Sequence, residues 1–150
     1  MQGSSPARLY CLLVGGVLVA AGIIGFFYAS GFDTGDKVCI NDNCEEVFGI
    51  LAVNGWHNLV HLGIGAVLLL AASGAARGAA LGVGGLYIAL SILGFIATGD
   101  GGIGFIAENG VLIDLVPVND EDNVLHLILG LTGIAAGLTS GTKAAAAPAA

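Results

Sequence analysis

Four long apolar segments dominate the pattern of the chain, and the acidic residues lie outside or at the edge of them. The four apolar segments run from about Leu9 to Ser30, Ile50 to Ala72, Gly78 to Thr98 and Asn123 to Thr139. Each reaches or approaches the ~20 residues that an α-helix needs to cross ~30 Å of hydrocarbon. Because a spanning segment must satisfy its own backbone hydrogen bonds, all four are predicted to be helices, the fourth being the shortest. The predicted fold class is all-α, an integral membrane four-helix bundle.

The first and third segments share a sequence, and so do the second and fourth. Ala7–Ser30 aligns without gaps with Ala76–Gly99, and the two are identical at 10 of 24 positions. Val53–Ala71 aligns in the same way with Val118–Ala136, with identity at seven of 19 positions. The chain is therefore interpreted as two tandem helical hairpins of one ancestry.

These matches predict a single membrane domain over residues 1–150. Repeat 1 covers about 7–72 and repeat 2 about 76–139, and residues 140–150 form a flexible cytoplasmic tail. Parallel repeats of this kind are usually related by a pseudo-two-fold axis along the membrane normal. The first helix is expected to be retained rather than cleaved as a signal peptide, since it is the counterpart of the third.

Charge gives the predicted orientation. Hydrophobic residues make up 56% of the chain, charged residues 10%, and the net charge is −7. Arg8, Arg77 and Lys143 lie on one side of the predicted bundle, so the positive-inside rule places both termini in the cytoplasm of a cell-membrane protein. The other side holds all eleven acids and one lysine: Asp33, Asp36, Lys37, Asp42, Glu45, Glu46, Asp100, Glu108, Asp114, Asp120, Glu121 and Asp122. Nucleic acid is not an expected partner, because phosphate binding needs clustered Lys and Arg.

One polar motif is common to the second and fourth segments. "VNGWHNLVHLGIG" and "VNDEDNVLHLILG" share the pattern V-N-x-x-x-N-x-x-H-L-x-x-G. Its first asparagines, Asn54 and Asn119, are predicted helix N-caps, because a short side-chain acceptor satisfies a free amide of the first turn. The histidines of the motif then lie about 10 Å below the cap at 1.5 Å per residue.

The titratable residues of the motif form two matching pairs. Residues four apart share a helix face, so His57 lies beside His61, and Asp122 beside His126. If the two faces turn inward, three imidazoles and one carboxylate converge at the outer end of the bundle, a set that can hold zinc, iron or copper. Haem between His61 and His126 is a further alternative, although no C-x-x-C-H attachment motif is present in the sequence.

The alternative to a metal or haem redox site is a purely structural one. The histidines would then form a buried polar network with the asparagines of the two motifs, which are Asn54, Asn58, Asn119 and Asn123. The preferred interpretation is this one: a non-enzymatic membrane protein with a structural or accessory role. Its partners would be the lipid bilayer and other membrane proteins or a second copy of the chain. A solute or proton pathway is disfavoured by the scarcity of polar residues below the histidines.

The cysteines suggest a disulfide. Cys39 and Cys44 flank the turn-forming Asn-Asp-Asn of "CINDNC" on the predicted outer side, where disulfides are permitted. A pair of free thiols is the alternative. Cys11 is interpreted as an unreactive apolar residue of the first helix.

The motifs "NGWHNLVHLGIG", "LVPVND" and "DNVLHLILG", set on four predicted spans, resemble one family. It is domain of unknown function 4383 (DUF4383), four-helix bacterial membrane proteins. The resemblance covers about Arg8–Leu138, and its most specific features are the H-N-x-x-H and D-N-x-x-H patterns. It implies a multi-pass bacterial membrane protein and supplies no activity.

Overall fold

The computed structural model of the chain describes residues 5–39 and 44–141. Four helices account for most of them: α1 (Pro6–Tyr28), α2 (Gly55–Ala71), α3 (Ala76–Thr98) and α4 (Asp120–Thr139). Helices α1, α3 and α4 are long and apolar enough to cross a membrane. The shortest α-helix of the described residues is α2, with 17 residues, whereas α4 has 20. The prediction that the fourth helix is the shortest was therefore wrong.

The short length of α2 has a local cause. Leu51–Ala52 forms a strand, β2, which pairs antiparallel with β1 (Glu46–Val47). The apolar run that begins at Ile50 thus first completes a β-hairpin, and the helix begins only at Gly55. A strand this short cannot be distinguished by hydropathy from the first turn of a helix.

The connection between α3 and α4 also forms strands. Its sheet has the order β3 (Ala107–Glu108), β4 (Val111–Leu112) and β5 (Val116–Pro117), and both pairings are antiparallel. Asn109 and Gly110 join β3 to β4 with φ of 52° and 71°, the positive values that a two-residue type I′ turn requires. The all-α prediction therefore holds for the bundle and not for the connections.

The helices pack in sequential pairs, α1 with α2 (the first hairpin) and α3 with α4 (the second hairpin). Both crossings depend on glycine. A Cβ on Gly15 would lie 3.0 Å from the carbonyl oxygen of Gly65, and a Cβ on Gly84 would lie 2.9 Å from that of Gly130. Small residues at such points let the backbones approach closely. Gly15 aligns with Gly84 in the sequence comparison of the hairpins, and Gly65 aligns with Gly130.

The bundle has two distinct ends. At the turn end, the amide of Ala7 donates to Ser140 Oγ at 2.8 Å, and Arg77 Nε donates to the Gly137 carbonyl at 3.2 Å. These bonds hold the N-terminal ends of α1 and α3 against the C-terminal end of α4. At the loop end, the first connection (residues 29–39 and 44–54, between α1 and α2) meets the second connection (residues 99–119, between α3 and α4).

Candidate functional site

Asparagine caps set the starts of α2 and α4, the two helices that carry the shared sequence motif. The Asn54 side chain accepts a hydrogen bond from the His57 amide at 2.9 Å, and Asn119 accepts one from the Asp122 amide at 2.9 Å. Both caps agree with the sequence prediction. Because each histidine of the shared motif lies equally far beyond its cap in sequence, His61 and His126 reach the same depth in the bundle.

Three imidazoles converge at that depth. The ring centroids are 4.4 Å apart for His57 and His61, 6.2 Å for His57 and His126, and 6.5 Å for His61 and His126. One nitrogen from each residue lies within 4.8 Å of the other two. These are all three histidines of the chain. His57 and His126 are 2% and 5% exposed.

The buried imidazoles have unused hydrogen-bonding capacity. Within residues 5–39 and 44–141, His57 Nδ1 and His126 Nδ1 are buried and have no hydrogen-bond partner. Backbone groups of Ala52 and Pro117 lie beside the His57 ring. Buried polar atoms are normally paired, so an unpaired nitrogen in a cluster of like groups calls for an explanation.

Asp122 has a different role from the histidines. Its Oδ2 accepts a hydrogen bond from the Ala52 amide at 2.9 Å and another from the Asn119 amide at 3.2 Å. The second bond completes a capping box at the start of α4. The three-histidine cluster of the described chain does not include this carboxylate. Of the four candidate ligands, the three histidines lie together in the structure. The fourth, Asp122, is instead hydrogen-bonded to the backbone of the first connection at Ala52.

In the part of the chain that the structure describes, Asn58 and Asn123 form hydrogen bonds within their own hairpins and not with the histidines. Asn58 Nδ2 donates to the Ala29 carbonyl at 2.8 Å, and Asn123 Nδ2 donates to Thr98 Oγ1 at 3.5 Å. Each amide therefore ties the start of one helix to the end of its partner. Among the described residues, neither side-chain amide forms a hydrogen bond with an imidazole, in contrast to the network expected from the sequence.

The two capping asparagines join one hairpin to the other. Asn54 Nδ2 donates to the Leu115 carbonyl, and Asn119 Nδ2 donates to the Ile50 carbonyl, both at 2.6 Å. The two donors are counterparts in the second alignment, and the two acceptors become counterparts when that alignment is extended toward the N-terminus. The loop end is thus held together by a reciprocal pair of side-chain hydrogen bonds.

An apolar cavity of about 210 Å³ adjoins the histidine cluster between α2, α3 and the second connection. All three histidines line it, together with Tyr87 and mainly aliphatic side chains. Tyr87 is 1% exposed, its ring centroid is 5.0 Å from that of His126, and its buried hydroxyl has no partner in the described part of the chain. Sequence reasoning missed Tyr87, since a single tyrosine in an apolar helix carries no distinguishing signal.

The cysteines are placed as predicted. Cys39 and Cys44 form a disulfide in the first connection. Cys11 is a buried free thiol of α1, whose Sγ approaches the Ala76 carbonyl at 3.5 Å. The residues between the bonded cysteines, including Asp42, lie outside the described residues, as does Lys143.

Comparison with known proteins agrees with the resemblance seen in the motifs. No curated protein and no solved structure shows a significant match to the chain. A family described as Domain of unknown function (DUF4383) matches residues 8–139, which include α1 almost entirely, the histidine cluster and the whole of α4. The chain therefore belongs to the DUF4383 family.

Proposed function

We propose that the protein is a multi-pass protein of a bacterial cell membrane, with four spanning helices and a structural or accessory, non-enzymatic role. The observation that carries this proposal is the distribution of side chains around the helices. Large apolar residues point outward on both hairpins; Phe27, Leu70 and Leu138, for example, are 85%, 76% and 65% exposed. The buried polar side chains lie mostly at the loop end. Lipid is the solvent that suits such a surface.

Helix α2 fits this proposal despite its length. Its 17 residues extend about 26 Å at 1.5 Å per residue. The hydrocarbon core is about 30 Å thick, and a slightly short helix is accommodated by local thinning of the bilayer or by its flanking residues.

The reciprocal bonds from Asn54 to Leu115 and from Asn119 to Ile50 support an interpretation of the hairpins as pseudo-two-fold repeats. In a two-fold arrangement, a contact from position i to position j is accompanied by a contact from j to i. The two bonds follow that rule, because Asn54 is the counterpart of Asn119 and Leu115 is the counterpart of Ile50. The glycine crossings add a second pair of matching contacts.

The proposed orientation places the turn end in the cytoplasm. Arg8 and Arg77 begin α1 and α3 at this end, whereas the acidic residues of the described chain lie in or next to the long connections. This asymmetry satisfies the positive-inside rule. The acidic end would then face outward, where an oxidising environment permits the Cys39–Cys44 disulfide.

In an accessory role, the protein would contact the lipid bilayer through its apolar helix faces. A second copy of the chain or another membrane protein would bind to the same faces. A purified, turnover-competent activity that disappears in His61→Ala would overturn the non-enzymatic proposal. Retention of association with a partner in the same variant would support it.

Labelling of single introduced cysteines in intact cells, with the Cys39–Cys44 disulfide left unreduced, tests the topology. In a Cys11→Ala background, Ser73→Cys places a thiol in the exposed turn between α2 and α3, and Asp100→Cys places one in the exposed second connection. A membrane-impermeant maleimide should label Asp100→Cys in intact cells and Ser73→Cys only after lysis. Labelling of Ser73→Cys in intact cells would refute the orientation, and equal labelling of both would refute a membrane-spanning bundle.

A further inference from the structure

We propose that His57, His61 and His126 bind one divalent transition-metal ion, with Zn²⁺ as the best fit, and that this ion joins the first hairpin to the second. Two ligands come from α2 and one from α4. The ion would therefore act as a cross-link between the two halves of the bundle. This inference goes beyond the proposed accessory role and does not depend on which side of the membrane the site faces.

The geometry is close to that of a metal site. The ligand atoms of the three residues lie within 4.8 Å of one another. Tetrahedral Zn²⁺ binds imidazole nitrogens at about 2.0–2.1 Å, which separates neighbouring ligand atoms by about 3.3 Å. Binding would therefore have to draw the ligand atoms closer together, by rotation of the rings. The N-caps hold the backbone of both helices in place while the rings adjust.

The unpartnered nitrogens give an independent reason for a ligand. His57 Nδ1 and His126 Nδ1 are buried without a partner in residues 5–39 and 44–141. A buried polar atom that lacks a hydrogen bond destabilises the fold, and a bound ion removes that cost by taking up a lone pair. Neutral imidazole is a good ligand for Zn²⁺ and for neighbouring first-row ions, whereas Mg²⁺ and Ca²⁺ require oxygen ligands.

Haem does not fit the same cluster. In a bis-histidine haem, the porphyrin occupies the space between two axial imidazoles. The His57 ring stands beside that space, with its centroid 4.4 Å from His61 and 6.2 Å from His126. The porphyrin would have to pass through His57, so the cluster selects an ion and not a flat cofactor.

Three ligands leave one position of a tetrahedral ion for an exogenous ligand. The 210 Å³ cavity is lined by all three histidines and supplies the space for a water molecule or another small ligand. Tyr87, whose ring centroid lies 5.0 Å from that of His126, lines the same cavity. Zinc sites with three protein ligands and a fourth position taken by water are a known class.

Metal binding by untagged, full-length protein in detergent tests the inference. After chelator treatment and its removal, Zn²⁺ is titrated and the bound metal is measured by elemental analysis. We expect one ion per chain with a dissociation constant below about 1 µM. Co²⁺ in place of Zn²⁺ should give the intense visible absorption of a tetrahedral site. Since the chain has only three histidines, no other imidazole can contribute.

Variants assign the ligands. His61→Gln and His126→Gln should each weaken Zn²⁺ binding by at least about 100-fold, because even the loss of an outer-shell partner costs about 10- to 100-fold. Asp122→Asn is the matched control: it alters a buried side chain at the same end of α4, and its Zn²⁺ affinity should stay within about threefold of wild type, since the carboxylate binds backbone amides instead.

Three outcomes would overturn the inference. One is folded wild-type protein that binds Zn²⁺ more weakly than the expected limit of about 1 µM. Another is unchanged affinity in both glutamine variants, which would locate the metal on the acidic connections. A third is a loss in Asp122→Asn as large as the loss expected of the glutamine variants. If a variant fails to fold, X-ray absorption of the wild-type Zn²⁺ complex decides: three imidazoles per ion support the inference, and an all-oxygen shell refutes it.

Discussion

The two hairpins solve the same packing problem with partly different side chains. In each, an asparagine near the start of the second helix fits against a glycine near the end of the first: Asn58 against Gly25, and Asn123 against Gly94. A Cβ on either glycine would collide with the amide of its asparagine. The amide can be buried there only because the glycine leaves room for it. The shared arrangement teaches that these positions hold the pairing of helices inside each hairpin.

One turn away from these glycines along α1 and α3, the hairpins diverge. Ser91 Oγ donates to the Asn123 carbonyl at 2.8 Å. The matching position of the first hairpin is Gly22, where a Cβ would lie 2.7 Å from the Asn58 carbonyl oxygen. The first hairpin therefore brings its backbones into contact, whereas the second bridges the gap with a hydroxyl.

The most consequential difference lies three residues after the caps. The first hairpin has His57 there, within the histidine cluster, and the second has Asp122, which accepts from the amides of Ala52 and Asn119. Two positions that align in sequence thus supply an imidazole in one hairpin and a capping carboxylate in the other. The difference explains why the cluster has three imidazoles and not four.

The gaps at Gly25 and Gly94 are called the glycine notches. Filling them is expected to have the largest effect on the free energy of unfolding. Gly25→Leu and Gly94→Leu should each lower the free energy of unfolding by at least about 3 kcal/mol, the upper end of overpacking costs, because a buried amide must be displaced. Reversible unfolding in mixed micelles measures the change. Equal losses would confirm that the two notches are equivalent.

Gly16 and Gly85 provide the matched controls for those variants. They occupy equivalent positions of α1 and α3, and a Cβ on either would meet no atom within 4 Å. Leucine at these sites should change stability by no more than about 0.5 kcal/mol. Losses as large as those at Gly25 and Gly94 would show that the notch is not the cause.

Removing the disulfide should lower the local stability of the first connection only. Cys39→Ser together with Cys44→Ser opens a short loop, with an expected loss of about 2 kcal/mol in the local stability of the first connection. The amides of β1 and β2 should then exchange hydrogen faster, while those of β3–β5 keep their protection. Faster exchange in both sheets would mean that the two connections unfold as one unit.

The position that differs between the hairpins can be probed directly with Asp122→Ala. Loss of the capping box and of the bond to Ala52 should cost about 1–2 kcal/mol. Calorimetric or chemical unfolding in detergent measures it. A variant as stable as wild type would show that the carboxylate does not hold α4 to the first connection.

Ser91→Ala should have the smallest effect. Hydrogen bonds between membrane helices contribute about 0.6 kcal/mol on average, so a loss of that order is expected from the hydroxyl bond to Asn123. Unfolding in mixed micelles again provides the measurement, with Ser73→Ala in the exposed turn as the control. A loss above about 2 kcal/mol would mean that the second hairpin depends on this bond far more than on its glycine contacts.

Much of the fold could be predicted from periodicity and caps. Long apolar runs placed four helices, and Asn54 and Asn119 placed two of their starts, because an N-cap is a local property of the chain. The dipeptide Asn109-Gly110 is a recognisable hairpin signal, whereas hydropathy alone shows only a connection between two helices there. β1 and β2 offered no comparable signal, since Phe48 adopts positive φ without being Gly or Asn.

The candidate site was only partly predictable. Helical spacing correctly paired His57 with His61, and the repeat placed His126 at their depth. The role of Asp122 could not be predicted, because its partner at Ala52 belongs to the first connection and is reached only when the two connections dock. The same holds for Tyr87, which the packing of α3 brings to the cavity.

The most direct test of the central claim, that the hairpins dock so that α2 and α4 bring their histidines together, uses thiols in their place. In a Cys11→Ala background, His61→Cys with His126→Cys should react with a short homobifunctional thiol reagent to give one bridging adduct per chain, seen by intact mass. The control variant combines His61→Cys with Leu138→Cys. Leu138 is exposed at the other end of α4, so this variant should give two separate adducts. A chelator is kept in the reaction, because the two thiols and the retained His57 would otherwise be a good ligand set for Zn²⁺. Two separate adducts in the first variant, as in the control, would contradict the account.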